Sequence, residues 1–161
     1  MKNLQTAAAI LAAYFILFRS GAGIFGPIKS KSRFLPVYIE GKINPALVRA
    51  SAPRPGVYII KVNGAIKYIG YSATNVYKTI TRHFQSWEDR RQVRITYPRA
   101  SYVTARVIYT NTGSQAAALE KALILKHRPE DNPNKYENYT LQFPEKEILT
   151  AYQFTDVEAP F

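Results

Sequence analysis

Apolar and polar positions alternate most clearly between Gly56 and Trp87. Two short apolar runs, Val57-Tyr58-Ile59-Ile60 and Ile66-Lys67-Tyr68-Ile69, flank an Asn63-Gly64 dipeptide. Asn-Gly supplies the two positive-φ residues of a type I′ turn, so the pattern predicts a β-hairpin. Past Gly70 the apolar period lengthens. Val76, Ile80, Phe84 and Trp87 define one side of a helix that Ser72 or Thr74 can cap. On a 3.6-residue wheel Asn75, Lys78, Thr79, Arg82 and Ser86 fall on the opposite, polar face, with His83 at the border. The hairpin therefore hands two tyrosines, Tyr58 and Tyr68, to a basic helix face. That arrangement suits phosphate chemistry.

Downstream, Arg91 to Tyr97 and Tyr102 to Tyr109 alternate as strands do, with a turn over Tyr97-Pro98-Arg99-Ala100-Ser101. Val103, Ala105, Val107 and Tyr109 share one face of the second of these, and Tyr102, Thr104, Arg106 and Ile108 the other. Ser114 is a candidate N-cap for a helix over Gln115 to Lys126, ended by Pro129. Glu120 falls among Ala116, Leu123 and Ile124, a poor place for an unpaired carboxylate. Either it pairs with a basic neighbour or reaches solvent, or it is held to bind a cation. Asp131-Asn132-Pro133-Asn134-Lys135 is turn chemistry. From Tyr139 to the last residue no apolar period persists, and residues 139–161 read as a C-terminal extension.

Ahead of the hairpin, residues 4–18 contain no charge. Fifteen helical residues span about 22 Å, short of the ~30 Å hydrocarbon core. A signal peptide, a buried helix and a short membrane anchor all compete for residues 1–20, and the anchor is preferred. Arg19, Lys29, Lys31 and Arg33 follow the run, which by the positive-inside rule puts the remaining chain on the cytoplasmic or interior side of a membrane. The alternative is a soluble intracellular protein. Residues 21–54, with their glycines, prolines and basic side chains, read as a linker, in which Leu35 to Glu40 can form a short leading strand.

Composition sharpens the choice of partner. The chain has 161 residues, 22 Lys and Arg against 11 Asp and Glu, and a formal charge of +11. Such a balance favours nucleic acid or an anionic membrane surface. Part of the excess is local, because Lys78, Arg82, Arg90, Arg91 and Arg94 follow the hairpin closely, and these are the candidate nucleic-acid contacts. The absence of cysteine excludes a disulfide framework and cysteine-ligated zinc. There is no glycine-rich phosphate loop.

Gly56-Val57-Tyr58 and Tyr68-Ile69-Gly70, about ten residues apart across an Asn-Gly turn, resemble the two signatures of the GIY-YIG nuclease domain. Leu119-Glu120-Lys121-Ala122-Leu123-Ile124, followed by His127-Arg128-Pro129 and Asn132, looks like the family's distal helix and its exit. The resemblance covers roughly residues 55–138. It implies an α+β fold, a small three-stranded antiparallel sheet flanked by helices, here with a separate N-terminal hydrophobic helix. It also implies a metal-dependent DNA endonuclease, with Glu120 holding one Mg²⁺ or Mn²⁺ ion, Tyr58 as the base or water-orienting group, Tyr68 as a second phosphate-side hydroxyl, and Lys78 and Arg82 as the cations beside them. The family usually carries an arginine on the helix after the second signature. Ungapped counting puts Lys78 there and Arg82 one turn on; one inserted residue near Tyr71 puts Thr79 there, with His83 in the later slot. Without that arginine a second reading stays open, a non-cleaving DNA-binding or structural protein, for example a membrane-associated virion component. DNA and, through the N-terminus, membrane lipid are the expected partners.

Overall fold

The structure of the protein is a computed structural model and describes residues 33–48, 53–84, 95–97, 102–132 and 134–152. In chain order its elements are β1 (Leu35–Pro36), β2 (Tyr38–Ile39), β3 (Lys42–Ile43), α1 (Pro45–Val48), β4 (Gly56–Val62), β5 (Ala65–Ser72), α2 (Val76–Thr81), β6 (Val103–Tyr109), α3 (Gly113–His127) and α4 (Phe143–Ala151). A 3₁₀ turn, Arg82–Phe84, continues α2. The sheet runs β1-β6-β4-β5, every neighbouring pair antiparallel. The expected α+β class and antiparallel hairpin are present, but the sheet has four strands rather than three. The fourth is β1, where Leu35 and Pro36 pair with Ala105 and Thr104.

Asn63 and Gly64 adopt φ of 51° and 79°, the left-handed pair that a tight hairpin turn requires. Beyond the turn the register slips between Ile60 and Lys61, so that Ile60 opposes Tyr68 and Lys61 opposes Ile66. Such a bulge increases local twist.

Gly56 to Ile60 of β4 are buried on both faces, which is why Val57-Tyr58-Ile59-Ile60 does not alternate with polar residues. Tyr58, Ile60, Val103, Ala105 and Val107 pack on Val76, Ile80 and Phe84 of α2 and its 3₁₀ turn. Val57, Ile59, Ile69 and Ile108 pack on Ala116, Leu119 and Leu123 of α3 and on Leu149 of α4. The expected division of β6 into two faces is observed.

Several local expectations differ from the structure. The cap of α2 is Asn75, whose side chain accepts from the Lys78 N–H at 3.0 Å, while Ser72 Oγ accepts from the Asn75 N–H one step earlier. The α-helix proper ends at Thr81, and the tighter turn that follows rotates His83 inward, away from the border position given by a 3.6-residue wheel. Thr112, not Ser114, caps α3, in a reciprocal capping box with Gln115. Residues 95–97 are irregular rather than strand. Part of the stretch read as a linker is folded, with Val37, Tyr38 and Leu47 in the first core. Part of the C-terminal extension is the helix α4, packed on α3.

The N-terminal hydrophobic segment lies outside the described residues. Among the described residues no helix is long and apolar enough to cross a membrane.

Candidate active site

Tyr58 stands opposite Gly70 in the β4–β5 ladder. A Cβ on Gly70 would lie 2.5 Å from the Tyr58 hydroxyl oxygen and 2.8 Å from the Tyr68 ring. Bare backbone at this position is therefore what allows the first-signature phenol to lie across the second strand. The two rings stack with centroids 6.0 Å apart and planes at 27°. His83 completes the group, its ring 4.7 Å from that of Tyr68.

The hydrogen bonds around His83 settle its tautomer. Nδ1 lies 2.7 Å from the Ile95 carbonyl, which can only accept, so Nδ1 carries the proton in the neutral ring. Nε2 is then an acceptor, and the Tyr58 O–H donates to it at 2.9 Å. Residues 95–97 are held over the ring in turn, because the Tyr97 N–H donates to the His83 carbonyl at 2.9 Å. The Tyr97 hydroxyl donates to Asp131 Oδ2 at 2.7 Å, and burial followed by that bond pushes its pKa well above the usual phenol range.

A cleft of about 330 Å³ opens beside this group. Tyr58, Tyr68, Thr79 and His83 line one side, and Tyr71, Glu120 and Lys135 the other. Tyr68 and Tyr71 belong to opposite faces of β5, the edge strand, so the cleft wraps the sheet edge at Gly70. The edge is fastened to the exit of α3 by Asn132, whose amide accepts from the Ile69 N–H and donates to the Ile69 carbonyl, each at 2.8 Å.

Glu120 is 1% exposed, deep in the second side. Its Oε1 accepts from Lys135 Nζ at 2.8 Å, while Oε2 is buried with no hydrogen-bond partner. Burial raises the Glu120 pKa, and Lys135 opposes the rise without cancelling it. For Lys135 burial acts downward, but the hydrogen bond and charge of Glu120 carry its pKa above the ordinary lysine value. No group of three or more His, Cys, Asp or Glu able to hold a metal occurs among the described residues. A caged ion is therefore a poor match for this donor set. A hydrated ion on one carboxylate fits it, since Mg²⁺ keeps several waters and Oε2 is an unused donor oxygen.

Of the residues singled out from the sequence, Tyr58, Tyr68, His83 and Glu120 come together. Lys78 is exposed, Arg82 is half-buried, and neither lines the cleft; Thr79 and His83 do. Thr79 and His83 are the pair that one inserted residue near Tyr71 puts in the two helix positions. Arg90, Arg91 and Arg94 lie outside the described residues. Sequence reasoning missed Lys135 and Tyr71 as cleft residues. The signal for Lys135 was the buried setting of Glu120, which demands a basic partner; nothing local marks which lysine provides it.

The cleft thus joins an Asn-Gly hairpin with a tyrosine from each strand, a histidine from the following turn and a glutamate from the distal helix, all within the stretch that resembles a GIY-YIG domain. Residues 54–133 match the family model of the UvrC-like GIY-YIG domain. The chain is 31% identical over 94 residues to the UvrABC system protein C of Trichlorobacter lovleyi, covering 58% of this chain and 15% of that protein. It is 38% identical over 89 residues to the same protein of Chlamydia caviae (55% and 14%), and 39% over 80 residues to that of Geobacter metallireducens (48% and 12%). The chain spans only about a seventh of the length of these relatives. No solved structure matches it.

Proposed function

We propose that the protein is a metal-dependent DNA endonuclease of the GIY-YIG type. The observation that carries this reading is the Tyr58–His83 hydrogen bond facing a buried, half-satisfied Glu120 across one cleft. The Tyr58 hydroxyl points its proton at His83 Nε2 and so has lone pairs left to accept one from a water. As that water oxygen attacks phosphorus, Tyr58 takes its proton and passes its own to Nε2, while the bond from phosphorus to the leaving strand's oxygen breaks and that oxygen takes a proton from solvent. The resulting imidazolium keeps its Nδ1–H on the Ile95 carbonyl, which suits the positive charge. Glu120 would hold Mg²⁺ or Mn²⁺, which supplies Lewis-acid stabilisation of the phosphoryl charge. Lys135, the basic side chain lining the cleft among the described residues, would neutralise a phosphate oxygen.

Nicking of supercoiled plasmid with Mg²⁺ or Mn²⁺ tests the reading. Wild type is expected to nick and Glu120→Gln is not, with circular dichroism unchanged between them. Cleavage that survives Glu120→Gln would refute the assignment.

A second reading, DNA binding without cleavage, is favoured by one observation: Lys135 is bound to Glu120, and no basic side chain of α2 lines the cleft. On that reading neither ion supports nicking, while DNA is still bound with a steep salt dependence. The uncharged run over residues 4–18 supports a membrane tether under either reading. Full-length protein should then partition with liposomes and residues 33–161 should not. Equal partitioning would sink the tether.

A further inference from the structure

The cleft does not end at Lys135. Lys135 Nζ lies 5.8 Å from the ring centre of Tyr71 and 5.7 Å from that of Tyr136. Lys121 Nζ lies 5.9 Å from the Tyr136 ring and 4.4 Å from that of Tyr139. Aromatic rings and ammonium groups therefore alternate in one continuous row, from the cleft mouth across α3 and its exit loop. Tyr71 is 38% exposed and Tyr139 51%, high values for large aromatic residues in a folded domain.

The row is built rather than incidental. Arg128, at the C-terminal cap of α3, donates to the Tyr136 carbonyl at 2.8 Å and also to the Tyr139 carbonyl. Tyr136 itself has a φ of 61°, a conformation unfavourable for a bulky side chain, and the Arg128 clamp holds the chain there. Each lysine covers part of a tyrosine and leaves ring surface open to solvent.

We propose that this row receives an unpaired strand of DNA leading into the cleft, bases stacking on Tyr71 and Tyr139. Duplex bases are stacked on one another and cannot offer their faces to side chains, whereas unpaired bases can. The ionic balance points the same way. Lys135 is held by Glu120 at 2.8 Å and Lys121 by Glu145 at 3.3 Å, so both ammonium groups of the row already face a carboxylate. Stacking, not phosphate neutralisation, is then its main attraction. This inference rests on the DNA-cleavage reading for the cleft but not on catalysis itself, because it is tested by binding.

The test is fluorescence anisotropy of the full chain with a labelled oligo-dT strand, a forked duplex and a blunt duplex, across a salt series. Tyr71→Ala with Tyr139→Ala is expected to weaken binding of the strand and the fork by about tenfold or more, since stacking on one aromatic is worth roughly fivefold or more per base. Blunt-duplex affinity should change less than about twofold, and the salt slope should stay the same. Tyr71→Phe with Tyr139→Phe keeps the rings and should bind the strand as wild type does. Unchanged strand binding by the alanine pair, an equal loss on blunt duplex, or a loss with the phenylalanine pair would overturn the proposal. Nicking is read separately: a protein that shows this binding pattern but never nicks keeps the row and loses the catalytic reading.

Discussion

The two sides of the cleft are built on different principles. On the tyrosine side, the Tyr58 O–H, His83 Nε2, His83 Nδ1–H and Ile95 carbonyl each meet a partner at 2.7–2.9 Å, within stacked aromatic packing. On the glutamate side, a carboxylate 1% exposed has one oxygen bonded to a lysine and the other to nothing. A satisfied, neutral network holds its geometry without help. A buried carboxylate with an idle oxygen is costly and stays so until something positive meets it. On the proposed reading the first side would move a proton and the second would exchange its ammonium for a metal ion.

The largest test of the contrast is Glu120→Gln. Nicking should fall by about 10²- to 10³-fold, the scale of losing a main electrostatic stabiliser. Thermal stability should hold or rise, because a buried charge is removed and Lys135, 41% exposed in its side chain, can turn to water. A protein that unfolds would show that the pair is structural.

Tyr58→Phe comes next. Removing the hydroxyl should lower kcat by about 10²-fold, the usual range for a proton-transferring group. Binding of Mg²⁺ measured by calorimetry should not move, since the glutamate side is untouched. A change in metal affinity would show that the two sides are one network.

Lys135→Met should lower nicking roughly tenfold, about 1.4 kcal/mol of barrier. The same variant should bind Mg²⁺ more tightly, because the ammonium competing for Glu120 has gone. Weaker Mg²⁺ binding would show that Lys135 orders the carboxylate instead of competing with the ion.

Alkaline titration reads the packing behind both sides. Burial pushes the Tyr152 hydroxyl up to about 12, from the usual 10.0, and shifts Tyr109 upward as well. The folded state thus keeps these phenols protonated longer than the unfolded state does. Their contribution is full below pH 10, is lost as the pH rises through the raised values, and makes unfolding by denaturant easier over that window. Tyr152→Phe should flatten the loss between pH 10 and 12.

The smallest expected effect is that of Lys78→Arg. Lys78 is exposed on α2 and does not line the cleft, so nicking should stay within about twofold of wild type. A large gain would show that the side chain reaches the phosphate after all.

By itself the sequence determined the hairpin, both helices that flank it and the presence of the tyrosines and Glu120 in one domain. Those features follow from local rules: Asn-Gly permits the turn, β-branched runs extend, and Gln115 to Lys126 is an unbroken run of helix-compatible residues that ends before Pro129. It did not determine which side of α2 meets the cleft, because one tightened turn after Thr81 replaces a 100° step by about 120° and brings His83 inside. Nor did it reveal α4, a short nine-residue helix that buries only Glu145 and Leu149. Residues far apart in the chain were the least legible. The pairing of Lys135 with Glu120, the clasp of Asn132 on Ile69 and the closure of residues 95–97 over His83 join groups 12 to 63 positions apart. Such contacts leave no local pattern, since a lysine or asparagine in a turn obeys the same local preferences whether it meets water or a buried carboxylate. Only the tertiary structure, by burying Glu120 beside the edge of the sheet, decided which lysine would meet it.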